Sequence, residues 1–471
     1  MSKPILIGFL PPLGGLPKTP DFFDYHQALI NTGDIAYTSA TTLLTAGPNH
    51  MAWNSSASAA VVNEAFSQVI WAIPCRIAAP PIYPDGYPYE AATRFIEQLT
   101  IPFTALTESV QSNTYEYDPD LHRRLTPEVV RYLKVIAEKS KIVGTRGEYS
   151  AGVLNRLGIH NVEPIGCPSL FWNGPALNPS LLRKKPFSEV KRIAVAYSNY
   201  QMNPGSRIGK MLELATARDY YFVEQTSNIV PKLLYYPGRI EAADLLKASQ
   251  LYGGLRHLRR LFNRNRVRYF TNYHNWKSFV GGMDFVFGAR MHGLTPAVHS
   301  GVPAYFIAHD SRVREMCEYF HLPFSPEKDF ADTDFDAEAL YDKTDYQAAI
   351  KDYSRLYFKF MIFLSHNQIL ANTDWNLAPI QNLDYRPAPG VEIELDPRSD
   401  DPINLHHTNE LFDLGESIAK QGSADGYEPQ VSACCQRWLA ELAANPQPCP
   451  EAAVPEQPSA QPDDSPVLAA G

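Results

Sequence analysis

"DFVFGARMHGLTPAVHSGVPAYFIAHDS", residues 284–311, is the stretch from which the fold can be read. Its apolar run Phe285-Val286-Phe287 ends at Gly288. Arg290 and His292 follow, and a small-residue stretch near Gly293 reads as a helix start. Gly301-Val302-Pro303 ends that stretch, and Ala304 to Ile307 is apolar again. An apolar strand, a helix and a second apolar strand make one unit of a parallel α/β sheet. In open sheets of this kind, ligands lie beyond the carboxyl ends of the strands. Gly288 to His292 occupies such an end. Arg290 could grip a carboxylate or phosphate through paired hydrogen bonds. His292 is the side chain that titrates closest to neutrality, and a nearby dianion favours its protonated form. It is therefore a candidate general acid. Gly288 and Gly293 are candidate anion-binding positions, because the N–H groups of a starting helix point at the same spot. An isolated R-x-H also fits a structural ion pair beside a core histidine, and short motifs often match by chance.

The same alternation runs outward in both directions. Ile5 to Leu10 reads as a first strand, and Asn31-Thr32-Gly33-Asp34 leads into a helical pattern. Thr126-Pro127-Glu128 has the cap, proline and acid of a helix start. Val129, Val130, Leu133 and Ile136 then recur at helical spacing. Ile142-Val143 is a short strand with Thr145-Arg146-Gly147 at its exit. A helix from Glu148 to Leu157 and a strand at Val162 complete the pattern. It breaks near Lys184-Lys185-Pro186. Arg192 to Tyr197 opens a second set of strands, continued at Tyr220–Val223, Val267–Phe270, Phe285–Phe287 and Ala304–Ile307. Tyr346 to Leu370 is a long helical pattern expected to close the second lobe. The expected fold class is α/β, with two Rossmann-like lobes of parallel strands and a mostly irregular C-terminal extension. The expected domains are a first lobe over 1–187, on the acceptor side, and a second over 188–384 carrying the R-x-H motif. A linker with short helices over 385–445 and a disordered Pro-rich tail over 446–471 follow.

Composition narrows the function classes. The chain has 471 residues, 45% hydrophobic and 20% charged, as in an ordinary globular protein of two or three domains. A net charge of −9 argues against general affinity for nucleic acid. No apolar run reaches membrane-spanning length, and MSKPILIGFL lacks a signal-peptide pattern, so a cytoplasmic location is expected. The six cysteines form no C-x-x-C pair and read as reduced thiols, with no metal site expected. Residues 255–270, LRHLRRLFNRNRVRYF, hold six arginines among apolar residues. Such a segment fits peripheral contact with the inner face of an anionic membrane, or a solvated helix face paired with acidic neighbours.

Several motifs together resemble the polysaccharide pyruvyl transferase family. Gly288, Arg290 and His292, followed by Gly301-Val302-Pro303, resemble its G-x-R-x-H element and the strand after it. Asn31-x-Gly33-Asp34 resembles its N-x-G-D near the first helix. Thr145 to Ser150, Leu157-Gly158-Ile159 and Gly166-Cys167-Pro168-Ser169-Leu170 resemble its "R-(D/E)-x-x-S … L-G … D-P-(A/S)-L" run. The resemblance covers about residues 4 to 370. It implies a GT-B-like pair of lobes and transfer of a pyruvyl ketal from phosphoenolpyruvate to a glycan or lipid-linked saccharide. Phosphoenolpyruvate is then the donor substrate, with no cofactor and no metal. By the same resemblance Arg146 and Arg290 hold the donor anion, with Asn31 and the two motif glycines assigned to substrate binding. His292 supplies the proton, and Asp34 acts as base on the acceptor hydroxyl or caps its helix. One departure stands out. VIWAIPCRIAAPPIYP, from Val69, has no glycine pair where relatives often carry one. Two other readings fit the same lobes. One is a nucleotide-sugar glycosyltransferase with Glu224 on a ribose. The other is a catalytically silent scaffold.

Overall fold

The computed structural model describes residues 3, 5–7, 33–46, 49–51, 58–72, 77–79, 89–112, 114–197, 207–226, 229–235, 237–270, 273–330, 335–372 and 405–444. Asn31, residues 373–404, which hold the first part of the expected 385–445 linker, and the Pro-rich tail lie outside the described residues.

Two parallel sheets organise the chain. In the first, β1 (Ile5–Ile7), β2 (Asn49–Met51), β3 (Gln68–Trp71) and β4 (Phe103–Ala105) lie in the order β2-β1-β3-β4. A parallel pair, β5 (Val143–Thr145) and β6 (Val162–Pro164), continues it. A bridge between Glu108 and Thr145 makes the join, with Glu108 N–H donating to Gly144 O at 2.8 Å. The second sheet holds β7 (Ile193–Tyr197), β8 (Tyr221–Glu224), β9 (Val267–Tyr269), β10 (Phe285–Gly288), β11 (Ala304–Ala308) and β12 (Phe324–Pro326). Their order is β12-β11-β10-β7-β8-β9, all parallel. Strand order therefore reverses between β7 and β10, the crevice where open α/β sheets bind ligands. The quoted motif begins at that reversal. Val286 and Phe287 are buried on both faces, as a central parallel strand requires.

Local chemistry sets the helix ends. Thr126 caps the Pro127–Lys139 helix through Val129 N–H, and Val129, Tyr132, Leu133 and Ile136 form its buried face. Asp310 caps the Ser311–Phe320 helix, accepting from Val313 N–H at 2.8 Å. Gly301, at φ 74°, ends the Met291–Ser300 helix in the left-handed conformation that glycine adopts without strain.

The long Gln347–His366 helix does more than close the second lobe. Tyr353 donates to Leu170 O at 2.5 Å, and Phe363 lies beside Gly144 of β5. Just beyond the helix, the backbone of 368–372 runs along the end of the Gly33–Leu44 helix. The chain thus returns to the first lobe, and one apolar core spans both. Between 405 and 444, the short helices expected there are two of 17 residues each, Leu405–Gln421 and Glu428–Ala444. They complete the second lobe's core, with Phe412 against Phe262.

Candidate functional site

The carboxyl ends of the two sheets face each other across a seam. From the second sheet, β10 delivers Gly288, Arg290 and His292. Gly288 lies so close to β7 that a Cβ there would sit 2.0 Å from Ala196 O. Gly293 meets the same strand, where a Cβ would lie 2.7 Å from that of Ala196. Both glycines let the first turn of the Met291–Ser300 helix press onto β7. The expected anion-binding role of Gly293 does not hold for its N–H, which donates to Arg290 O at 3.0 Å.

The imidazole of His292 sits at the seam, among residues of both lobes. Tyr37, from the Gly33–Leu44 helix, has its ring 5.7 Å away. Cys167 Sγ, beyond β6, is 3.7 Å from Nε2 and 3.1 Å from Ser169 Oγ. Arg146, at the exit of β5, has its Cζ 5.8 Å from the centre of the same Tyr37 ring. Burial lowers the His292 pKa well below its ordinary value. The charges of Arg146, Arg312 and Arg290 push it further the same way. The free protein therefore holds this imidazole neutral at pH 7, not protonated. His292 and Arg290 are each 7% exposed, and Arg146 is 1% exposed.

Arg146 and Arg290, far apart in sequence, are thus brought to one place. Asp34 is the second residue of the helix that carries Tyr37. His299 is structural: Tyr273 OH is 2.7 Å from its Nδ1, and burial beside Lys277 pushes its pKa down to about 3.

Residues without a role in the sequence reading complete the seam. Arg312 follows the exit of β11 and pairs with Asp310 at 3.3 Å. Burial raises the Asp310 carboxyl, but His309 and Arg312 outweigh it and hold the pKa low. Glu315, one turn further on, accepts from Ser150 N–H at 2.6 Å and Ser150 Oγ–H at 2.7 Å. Burial pushes its carboxyl up to about 7. Arg312 stands where the strand-end rule would have found it. Glu315 gives no signal of its own, because its partner belongs to the other lobe.

Two other expectations change. Glu224 is fully buried, and its oxygens accept from the N–H groups of Gln225 and Thr226, the Thr226 hydroxyl and the Tyr252 phenol. This carboxylate fastens the loop after β8 and does not present itself to a ribose. In the basic segment, Leu258, Leu261 and Phe262 of the Arg256–Asn263 helix are buried in the second lobe's core. Three of the segment's six arginines pair within the protein: Arg259 with Asp413, and Arg264 and Arg266 with Asp219. A membrane has no apolar face to take there. Among the described residues, no helix is long and apolar enough to cross a membrane.

Residues 122–311 match the polysaccharide pyruvyl transferase family model. That match reaches from the Leu121–Arg124 helix to the exit of β11, and so takes in Arg146, Cys167, Arg290 and His292. The match covers less than half of the chain. No curated protein matches the chain. Among solved structures, the Methanocaldococcus jannaschii UDP-GlcNAc 2-epimerase is similar at 10% identity and TM-score 0.40, over 78% of this chain and all of that one. The Rickettsia bellii UDP-N-acetylglucosamine 2-epimerase is similar at 12% identity and TM-score 0.34, over 78% of this chain and 97% of that one. The wall teichoic acid polymerase TagF is similar at 10% identity and TM-score 0.31, over 89% of each chain. At these TM-scores the likenesses carry no argument about activity. The two-lobed α/β fold stands on the chain's own sheets.

Proposed function

We propose that this protein transfers a pyruvyl ketal from phosphoenolpyruvate to paired hydroxyls of a glycan or lipid-linked saccharide. The observation that carries the reading is the gathering of Arg146 from one lobe and Arg290 and Arg312 from the other around His292. Such a site suits a small polyanion, since fixed guanidiniums bind carboxylate and phosphate together. Phosphoenolpyruvate carries both groups. Its charge opposes that of the arginines, so on binding the imidazole regains its proton. His292 then protonates the methylene carbon, leaving C2 electrophilic. One acceptor hydroxyl adds to C2 and releases its proton, with Asp34 as the assigned base. Phosphate departs as the C2–O bond breaks, and a second hydroxyl closes the ketal, giving its proton to the imidazole that the first step left neutral. The seam lies nearly closed over the guanidiniums of Arg146 and Arg290.

Incubation with labelled phosphoenolpyruvate and a panel of glycans, read by product mass, tests the reading. The expected product carries the ketal, and His292→Ala keeps donor binding but loses transfer by roughly 100- to 10,000-fold. Transfer from nucleotide sugars and none from phosphoenolpyruvate would refute it. The engaged carboxylate of Glu224 counts against that outcome.

A further inference from the structure

We propose that Glu315 is a positioning residue: carried by the second lobe, it caps the first turn of the Glu148–Arg156 helix and so sets Arg146 for the donor. The donor part of this inference rests on the function proposed above. The Ser311–Phe320 helix turns one face toward the first lobe. Ser311, Glu315 and Glu318 stand on that face at spacings of four and three. Ser311 Oγ accepts from Ser112 N–H at 3.2 Å, and Glu318 accepts from the Tyr117 phenol at 2.6 Å. Arg314, beside them, lies over the rings of Tyr115 and Tyr117 at 4.6 and 4.0 Å. Glu315 is the buried centre of this clasp.

Its carboxylate takes both hydrogens that Ser150 offers, at the helix end where unsatisfied N–H groups favour negative charge. Gly147 makes room for it, since a Cβ there would lie 2.4 Å from Glu315 Cγ. The turn before the helix is held from its own lobe as well. Arg146 N–H donates to Glu108 O at 3.0 Å, and Thr145 Oγ to Gly147 O at 3.0 Å. The backbone of Arg146 is therefore fixed on one side by the first sheet and on the other by a carboxylate of the second lobe. The groups that face Glu315 are Ser150 and the cation of Arg146 from the first lobe, the phenols of Tyr117 and Tyr149, and Glu318 on its own helix.

The test compares the full-length wild type with Glu315→Ala and Glu315→Gln. Gln keeps the shape and one acceptor. Hydrogen exchange over residues 147–152 of the free protein reports the clasp. It is expected to rise at least about tenfold in Glu315→Ala and much less in Glu315→Gln. In turnover, Glu315→Ala is expected to raise KM for phosphoenolpyruvate about tenfold while leaving the acceptor KM unchanged, with Gln restoring most of the loss. Unchanged exchange in both variants overturns the clasp. Raised exchange with an unchanged donor KM overturns the positioning of Arg146. A wild type that binds no phosphoenolpyruvate refutes the functional reading and the donor part with it, while exchange still decides the clasp.

Discussion

Two clusters of arginine in this molecule have opposite fates. Residues 255–270 pack six arginines into one short segment, the densest positive charge in the sequence. In the fold that charge disperses. Arg259 reaches Asp413, Arg264 and Arg266 share Asp219, and Arg192, Arg266 and Arg268 surround the ring of Tyr221. Arg146, Arg290 and Arg312 are scattered along the chain and look unremarkable as a group. Yet all three act on the buried imidazole of His292. Local charge density says little about a site. Convergence from separate strand ends says much, because only the fold can hold like charges together and leave them facing one titratable group.

This contrast can be broken by experiment. The largest effect is expected from Arg290→Ala, which should weaken phosphoenolpyruvate binding by about 100-fold, or about 3 kcal/mol, by calorimetry. An affinity within twofold of the wild type would remove Arg290 from the donor site. Next comes a proton. His292 is held neutral in the free protein by burial and three cations, and a bound polyanion reverses that field. Binding near pH 7 should take up close to one proton, measured by calorimetry in buffers of different ionisation enthalpy. Uptake means that donor affinity strengthens as pH falls through the window between the depressed free pKa and the raised bound one. His292→Ala should abolish the uptake, and uptake that survives in that variant would assign the proton elsewhere. The smallest effect belongs to the dense cluster. Arg259→Ala should leave donor affinity unchanged and cost no more than about 1 kcal/mol of stability in a urea melt, since its Asp413 partner is largely solvent-exposed. Loss of donor binding there would erase the distinction between the clusters.

How much of this was legible beforehand differs by level. The alternation of strand and helix was readable, because parallel strands buried on both faces give short apolar runs such as Phe285 to Phe287. The caps at Thr126 and the stop at Gly301 were readable, because they depend on neighbours a few residues away. The site was half readable. Arg146, Arg290 and His292 announce themselves as strand-end residues in matching motifs. Arg312 could have been found by the same rule. Tyr37, Cys167 and Glu315 could not, because nothing in their own segments says what they meet. The charge state of His292 was not readable either, since it follows from burial and from cations on other strands.

The sequence by itself determined which segments become the central strands and the helices between them, for these follow from residue types within one or two turns of each other. It also determined which residues stand at the strand exits. Only the tertiary structure decided that strand order reverses between β7 and β10, that the long helix returns to the first lobe, and that the Arg256–Asn263 helix hides its apolar face. The same holds for the meeting of Glu315 with Ser150. Each of these is a contact between distant segments, stabilised by shared burial or by hydrogen bonds across the seam, and no local pattern of residues specifies its partner.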